Sequence, residues 1–396
     1  MNHIYLDNNL TTPLAKEALD EMLPFFSEEF GVSSGLYEGS LVADMAIEQA
    51  QERVAAVINA DPEEIIMTAS GSEASLIAIR GFAISRKARG THLITSVIEH
   101  PSVLDVFQQL EKEGFSVDYI PVDRDGFIEL EVFKEKLTPE TSLVSFMFVN
   151  HITGTIQPIA DMAEMIRDHN TRTESRVVFH TDACEAFGKL PFDVADIGVD
   201  ALSISSHMIH GPKGAGGLFL KKGLNLDVVI HGSDSRFKYR KGSENVPAIV
   251  GFGKAAELAH KGLEQNLAHA KLLRDALMKG IEETIPDVML NGPRGEGRSP
   301  YNVNYTFNYV EGEALTLQLD MYGIAVATGS ACASRTLKTN YVLREMGRKH
   351  EEAHGSLRFT FNRYNTLEEI EETLTSLKQV FDVLLKLSSV KPASMS

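Results

Sequence analysis

The 396-residue chain has no tryptophan and only two cysteines, Cys184 and Cys332. Two thiols cannot build a disulfide framework, so the small bridge-dependent secreted scaffolds are excluded. What remains is a pair of cysteines that are either buried or chemically used. Positive charge is scarce: 38 Lys and Arg stand against 55 Asp and Glu, a formal net charge of −17. Such a chain repels phosphate backbones, which argues against a nucleic-acid partner. No run approaches the roughly 20 apolar residues that cross a bilayer. The start, Met1-Asn2-His3-Ile4-Tyr5-Leu6-Asp7, lacks the basic-then-apolar order of a secretory leader. The expectation is a cytoplasmic protein with no membrane partner. Neither a solenoid-type repeat nor a low-complexity segment interrupts the body.

What is present reads as a globular α/β protein. Hydrophobic residues make up 43% and charged residues 23%, and the length suggests two or three units of roughly 100–200 residues. Short β-rich runs fall at Glu64–Thr68, His92–Ser96, Val117–Pro121, Leu143–Val149, Val177–Thr181, Ala201–Ser205 and Gly217–Leu220. Helical periodicity fills most gaps, as in Glu73–Lys87, Pro101–Glu113 and Ile159–His169. Seven strands with helical crossovers predict a mainly parallel sheet covered on both faces, with its ligand beyond the carboxyl ends of the strands. Earlier helices are expected over 14–26 and 40–58. A single long helical pattern runs from Ile249 to near Pro286. After it comes a smaller α+β part with strands at Val303–Tyr309 and Ser356–Phe361 and helices near Glu313–Met321, Leu337–Met346 and Leu367–Leu387. The expected division is a large domain over 14–255 and a small one made of 1–13 and 256–396.

The stretches with chemical content cluster at predicted strand ends. Met67-Thr68-Ala69-Ser70-Gly71-Ser72-Glu73 passes from strand to helix with small residues, which lets amides approach an anion; an ordinary turn with a serine cap explains it equally. Glu99-His100-Pro101 opens a helix, where His100 is either a cap or an acid–base group. Asp182 closes a strand and is either a cap or a site carboxylate. Ser203-Ile204-Ser205-Ser206-His207-Met208-Ile209-His210-Gly211-Pro212-Lys213-Gly214 joins a strand to a glycine-rich turn. Cys332 sits among small residues in Thr328-Gly329-Ser330-Ala331-Cys332-Ala333-Ser334, which suits a nucleophile better than a core position. Arg358, in Gly355-Ser356-Leu357-Arg358-Phe359, offers a planar fork that matches a carboxylate. The loop 236–241 concentrates Arg236, Lys238, Arg240 and Lys241, either as a solvated loop or as a contact for an anion or partner.

These stretches resemble cysteine desulfurases of the NifS/IscS type, which are pyridoxal phosphate (PLP) enzymes of the class V aminotransferase group. The resemblance runs from Tyr5-Leu6-Asp7-Asn8 to Tyr364-Asn365-Thr366-Leu367. It implies a fold-type I PLP-transferase-like architecture, a homodimer and work in sulfur mobilisation and iron–sulfur cluster assembly. It assigns Gly71, Ser72, Ser205, His207 and, from the partner subunit's side, Ser243 to the cofactor phosphate. Asp182 falls to the ring nitrogen, His100 to the ring face, Asn150 and Glu185 to the cofactor surroundings, and Arg358 with Asn8 to the substrate. Cys332 becomes the persulfide carrier or an iron–sulfur ligand, with a scaffold or sulfur-acceptor protein as partner.

The chain departs from that family at chosen points. Met208 stands where the family has the lysine that holds PLP covalently. Glu185 replaces a glutamine, and a carboxylate there opposes the cofactor's phenolate. Asn150-His151-Ile152-Thr153-Gly154 keeps only the ends of an Asn-Asn-Glu-Ile-Gly run. The expectation is therefore a divergent relative without ordinary lysine chemistry, PLP being held non-covalently if at all. Two alternatives stay open: an active desulfurase with non-covalent PLP or with Met208 in place of an original lysine, and a PLP-free enzyme that reuses the pocket through His100, His151, Glu185 and Cys332.

Overall fold

The computed structural model describes residues 3–233, 235–328 and 340–388. A short strand, β1 (Ile4–Tyr5), opens the chain. The large sheet comprises β2 (Ile65–Thr68), β3 (His92–Ser96), β4 (Ser116–Ile120), β5 (Thr141–Met147), β6 (Val178–Asp182), β7 (Ala201–Ser205) and β8 (Gly216–Leu220), in the order β2-β8-β7-β6-β5-β3-β4. All pairs are parallel except those of β8, which runs antiparallel to both β2 and β7. The reason is length. Ten residues separate Ser205 from Gly216, whereas a parallel return needs a crossover of about a dozen or more. The mainly parallel seven-stranded sheet expected from the sequence is thus present, with one reversed strand.

Every strand of this sheet except the edge strand β4 is buried along its whole length. That follows from their near-continuous apolar runs, since helices cover both faces. Three polar residues of neighbouring strands inside the sheet are paired with one another. On β6, His180 reaches Ser145 of β5 and Ser203 of β7, each at 2.8 Å, one ring nitrogen to each hydroxyl.

The remaining strands are β9 (Val288–Leu290), β10 (Asn302–Phe307), β11 (Ile324–Ala325), β12 (Ala327–Thr328) and β13 (Ser356–Thr360). An antiparallel sheet has the order β12-β13-β10-β9, and β1 pairs in parallel with β11. Two apolar cores result. One gathers residues between Ala43 and Ala259, joined by Val342, Leu343, Met346 and Ala353. The other joins Ile4 and Leu6 to residues between Leu273 and Leu385.

Helix boundaries differ from the periodicity where single residues intervene. The first expected helix is two, Lys16–Met22 and Pro24–Ser27, because Pro24 lacks an amide proton to continue the ladder. The long pattern after Pro247 is also two helices, Val246–Lys261 and Leu263–Thr284, parted at Gly262, a poor helix former. In the expected 337–346 helix, the described part is Tyr341–Glu345, begun by Asn340, whose side chain accepts from the amides of Val342 and Leu343.

Burial holds the His180 imidazole neutral, with its pKa lowered to about 3. Its folded pKa lies below the unfolded value of about 6.5, so its contribution to stability is complete above pH 6.5 and is lost as pH falls toward 3. Urea unfolding of the wild type and His180→Gln across pH 3–7 checks this. The variant is expected to be less stable at pH 7, by about 1–3 kcal/mol for each serine left unpaired. Its stability is also expected to fall less steeply in acid; parallel profiles would contradict the assignment.

Candidate functional site

Beyond the carboxyl ends of β2, β5, β6 and β7 lies a cavity of about 180 Å³. Its walls include Asn9, Gly71, Ser72, His100, His151, Asp182, Cys184, Glu185, Ser205, His207, Met208 and Arg358. Ten of the residues singled out from the sequence therefore meet in one place. Asn150, Asn8 and Ser243 do not line it, and Cys332 lies outside the described residues.

The floor is built by close backbone approach. Ser70 caps the helix Gly71–Arg86 by accepting from the Glu73 amide at 3.1 Å, so the capping serine is Ser70 and the Ser72 hydroxyl is not used as the cap. A Cβ on Gly71 would fall 2.4 Å from the Cys184 sulfur, and one on Gly216 would fall 2.9 Å from the Gly71 nitrogen. Glycine at both places lets β8 and β6 press against the turn. The first-turn amides of this helix then point at the cavity with the positive end of the helix dipole behind them. Nearby, Ser205 Oγ and His207 Nδ1 are buried and without a protein partner. Buried polar groups are normally satisfied, so this floor is a set of hydrogen-bonding groups prepared for an anion.

One wall comes from the turn after β7. Met208 is 5% exposed. Its turn is clamped by the N-terminal segment: the Thr12 amide and hydroxyl both donate to the His207 carbonyl, and the Thr12 hydroxyl accepts from the His210 amide at 2.8 Å. Among the described residues no lysine lines the cavity. Lys213 is exposed. Lys189 lines a second, smaller cavity of about 30 Å³ that shares Met208. It is tied to Glu185 at 2.9 Å, with both side chains nearly buried. This pair revises the expectation of a bare carboxylate opposing a phenolate, since the Glu185 charge is already compensated.

The opposite wall carries the acid–base groups. His100 caps the helix Pro101–Lys112, its Nδ1 accepting from the Ser102 amide at 3.2 Å, and it also faces the cavity. The cap is therefore observed, and the ring is placed where it also lines the cavity. His151 meets His100 edge to face, with centroids 5.1 Å apart. Burial first, then the neighbouring His100 and Arg358, pushes the His151 pKa well down, and its Nδ1 is a third orphan. Beneath them Glu99 is fully buried, and its carboxyl accepts from Ser96 Oγ at 2.5 Å. Burial raises its pKa to about 8, so it is a neutral acid at pH 7. Asp182, at the end of β6, accepts from the Cys184 amide at 3.0 Å. The Cys184 thiol is pushed up by burial and by Asp182, which makes it a poor nucleophile.

Arg358, on β13, closes the mouth. Its Nη2 donates to Asp7 Oδ1 at 2.7 Å and its Nη1 to the His151 carbonyl at 2.9 Å, while its Nε is buried without a partner. The guanidinium is thus already braced on one side by Asp7. Two assignments need correcting here. The Asn8 amide donates to the Thr360 carbonyl at 2.7 Å and its oxygen accepts from Asn362, so it fixes the joint, and the residue at the cavity is Asn9. The Asn150 oxygen accepts from the amides of Ile152 and Thr153, and its amide donates to the Ile98 carbonyl, so it shapes the turn and His151 faces the cavity. The basic loop is largely spent internally. Arg236 bonds Asp44 and Gln51, Lys238 reaches Asn225, and Arg240 holds the carbonyls of Gly242 and Ser243.

Aminotransferase class-V matches residues 4–373. The chain belongs to this family. Within it, the chain is 45% identical over 378 residues to cysteine desulfurase IscS of Clostridium botulinum, covering 95% of this chain and 94% of that one. A solved NifS-like protein superposes with a TM-score of 0.90 at 32% identity, over 97% of this chain and all of that one. A structure of SspA in complex with cysteine gives 0.80 at 32% identity, over 92% of this chain and all of that one. The NifS/IscS-type, fold-type I relationship read from the motifs is therefore correct.

The family is PLP-dependent, and the residues present fit part of that cofactor. The orphan Ser205 Oγ and His207 Nδ1 beside the Gly71–Ser72 amides suit its phosphate, and Asp182 suits its ring nitrogen. A covalent attachment does not fit, because Met208 has no amine. Asp7, Glu99 and Asn9 were missed as site residues. Asp7 and Asn9 flank the named Asn8, and Glu99 precedes His100, so adjacency was the only available signal.

The Glu99 carboxyl gives a second pH test. Its folded pKa lies above the unfolded value, so the folded state holds an extra proton between about pH 4.5 and 8 and loses stability as pH rises through that window. Glu99→Gln is expected to remove this loss and to be more stable than wild type at pH 8.5. A variant that unfolds with the same pH dependence as wild type would show that Glu99 is ionised in the fold.

Proposed function

We propose that this protein is a divergent cysteine desulfurase-type sulfur-mobilising protein of iron–sulfur cluster assembly, which binds PLP reversibly and carries sulfur on Cys332. The observation that carries this reading is the pairing of an anion-ready floor with Met208. The orphaned Ser205 and His207 atoms beside Gly71 and Ser72 await a phosphate, while the position of the covalent anchor holds a thioether.

The roles follow from the residues. Gly71, Ser72, Ser205 and His207 bind the phosphate, and the helix dipole favours its charge. Asp182 would face the ring nitrogen and keep it protonated, and His100 would stand at the ring face. PLP, when bound, supplies an electron sink. Arg358, braced by Asp7, directs its remaining N–H groups at a substrate carboxylate, and the cysteine in the SspA structure supports an amino acid of that size. His151, neutral and buried, holds or releases a proton next to His100. The Cys332 thiolate would attack the sulfur of a cysteine substrate, so that the C–S bond breaks and the carbon keeps the electron pair and is protonated to give alanine. The sulfur stays on Cys332 as a persulfide for a scaffold or acceptor protein; Cys332 could instead ligate the growing cluster. Without a lysine amine the step that family members catalyse at that position is slowed; proton-transfer catalysis is worth roughly 10²–10⁴-fold.

A second copy of the chain completes this reading. The N-terminal segment exposes Leu19, Leu23, Phe26, Phe30, Leu36 and Leu41, an apolar surface that a homodimer would cover. Ser243 is exposed on the same molecule, available to the partner's phosphate. Cytoplasmic work accords with these roles, and no helix among the described residues is long and apolar enough to cross a membrane.

Absorbance after dialysis tests the proposal. The wild type is expected to take up PLP with a visible band and lose it on dialysis. Met208→Lys is expected to retain it and to release sulfide from cysteine at least ten-fold faster. A wild type that keeps its band through dialysis, or a Met208→Lys variant that stays colourless, would sink the proposal. Sedimentation velocity checks the dimer, which Leu36→Glu with Leu41→Glu is expected to dissociate.

A further inference from the structure

Outside the lining of the cavity, the short helix His350–His354 carries a histidine at each end, in the run His350-Glu351-Glu352-Ala353-His354. Positions i and i+4 lie on one face of a helix, and here the two imidazoles converge. Their ring centroids are 4.3 Å apart with planes inclined at 48°, and the two Nε2 atoms are 3.2 Å apart. His350 is exposed and His354 half-buried. The rings line an open depression together with Glu311, Glu351, Glu352 and Lys349. Among the described residues no group of three or more His, Cys, Asp or Glu is arranged to hold a metal; the pair itself offers two ring nitrogens.

We propose that His350 and His354 form a two-point chelate for a borderline divalent cation such as Ni²⁺, Cu²⁺ or Zn²⁺, with water completing the coordination. The bite fits. Bonds of about 2.0–2.1 Å to nitrogens 3.2 Å apart enclose an angle of about 100° at the metal, between the tetrahedral and octahedral values. Imidazole nitrogen is the ligand these ions prefer. Three carboxylates around the depression outnumber Lys349, and the net charge of −17 draws cations to the surface. A proton shared between the two rings also bridges such a gap, and that is the competing account. The site has a structural consequence. The helix passes through Gly355 into β13, and the pair spans its single turn, so an ion held by both ends fastens the entry to the strand that bears Arg358.

Titration calorimetry with NiCl₂ tests the chelate, using the full chain carrying Cys332→Ser so that the thiol does not compete. The expected result is one Ni²⁺ per chain at this site. Binding should weaken at least ten-fold in His350→Gln and in His354→Gln, with unchanged circular dichroism. Thermal unfolding reads the same event independently: Ni²⁺ is expected to raise the midpoint of the parent chain by several degrees and to leave both variants unmoved. Equal affinity and equal midpoint shifts in parent and variants, or no Ni²⁺ bound by the parent, would overturn the proposal and leave a hydrogen-bonded imidazole pair only.

Discussion

The buried ion pair between Arg358 and Asp7 is the joint on which the cavity depends. It brings together the first ten residues, the turn after β5 and a strand of the C-terminal sheet, through Asp7, His151 and Arg358. Removing two charges from water costs several kcal/mol per ion, and the attraction between them offsets this only when the geometry is good and the other donors are occupied. Here the His151 carbonyl takes one further N–H, and Asn8, Thr360, Asn362 and Asn365 form a polar network alongside. Removing either charge would strand the other in a low-dielectric joint. The pair therefore specifies how the two cores meet, whatever its net contribution to stability.

The electrostatics of the cavity follow the same logic of internal compensation. Glu185 faces Lys189, Arg358 faces Asp7, Glu99 is held neutral by burial, and so is His151. What remains is a chamber with the Asp182 carboxylate in its wall and an anion-seeking corner at the start of the helix Gly71–Arg86. Such a chamber binds by shape, dipoles and hydrogen bonds. Among the described residues no lysine lines it to capture an aldehyde. The exchange of glutamine for glutamate at 185 also reads differently once Lys189 is seen four residues on: the change adds a compensated pair in the wall, where the sequence alone suggested an uncompensated charge.

Much of this was legible from residue order, and the exceptions have physical reasons. The seven strands were visible because a sheet buried on both faces is written as continuous apolar runs. The reversal of β8 is written only in the ten-residue spacing between Ser205 and Gly216, which apolar patterning does not register. Helix breaks at Pro24 and Gly262 were hidden because apolar periodicity continues across them. At the site, residues named for their chemical type at strand ends (His100, Asp182, His207) line one cavity, since topology brings those ends together. Residues in the polar run Asp7-Asn8-Asn9 were confused because one position decides which side chain faces inward. The orphan nitrogen of His151 and the neutral acid Glu99 depend on three-dimensional burial, which no linear pattern records.

The reversed strand also constrains the order in which the chain can assemble. As β8 lies between β2 and β7, the strand that ends at Thr68 has no neighbour in the sheet until the residues up to Leu220 have been made. During synthesis from the N-terminus, some 150 residues must emerge before that edge is covered. Contacts so distant along the chain form late and slow folding. Meanwhile Ile65-Ile66-Met67 presents an unpaired, apolar edge of the kind that invites pairing with another chain. The turn that carries Met208 is therefore also the hairpin whose closure seals the sheet, so chemistry at that turn has been free to change only within sequences that still let it close.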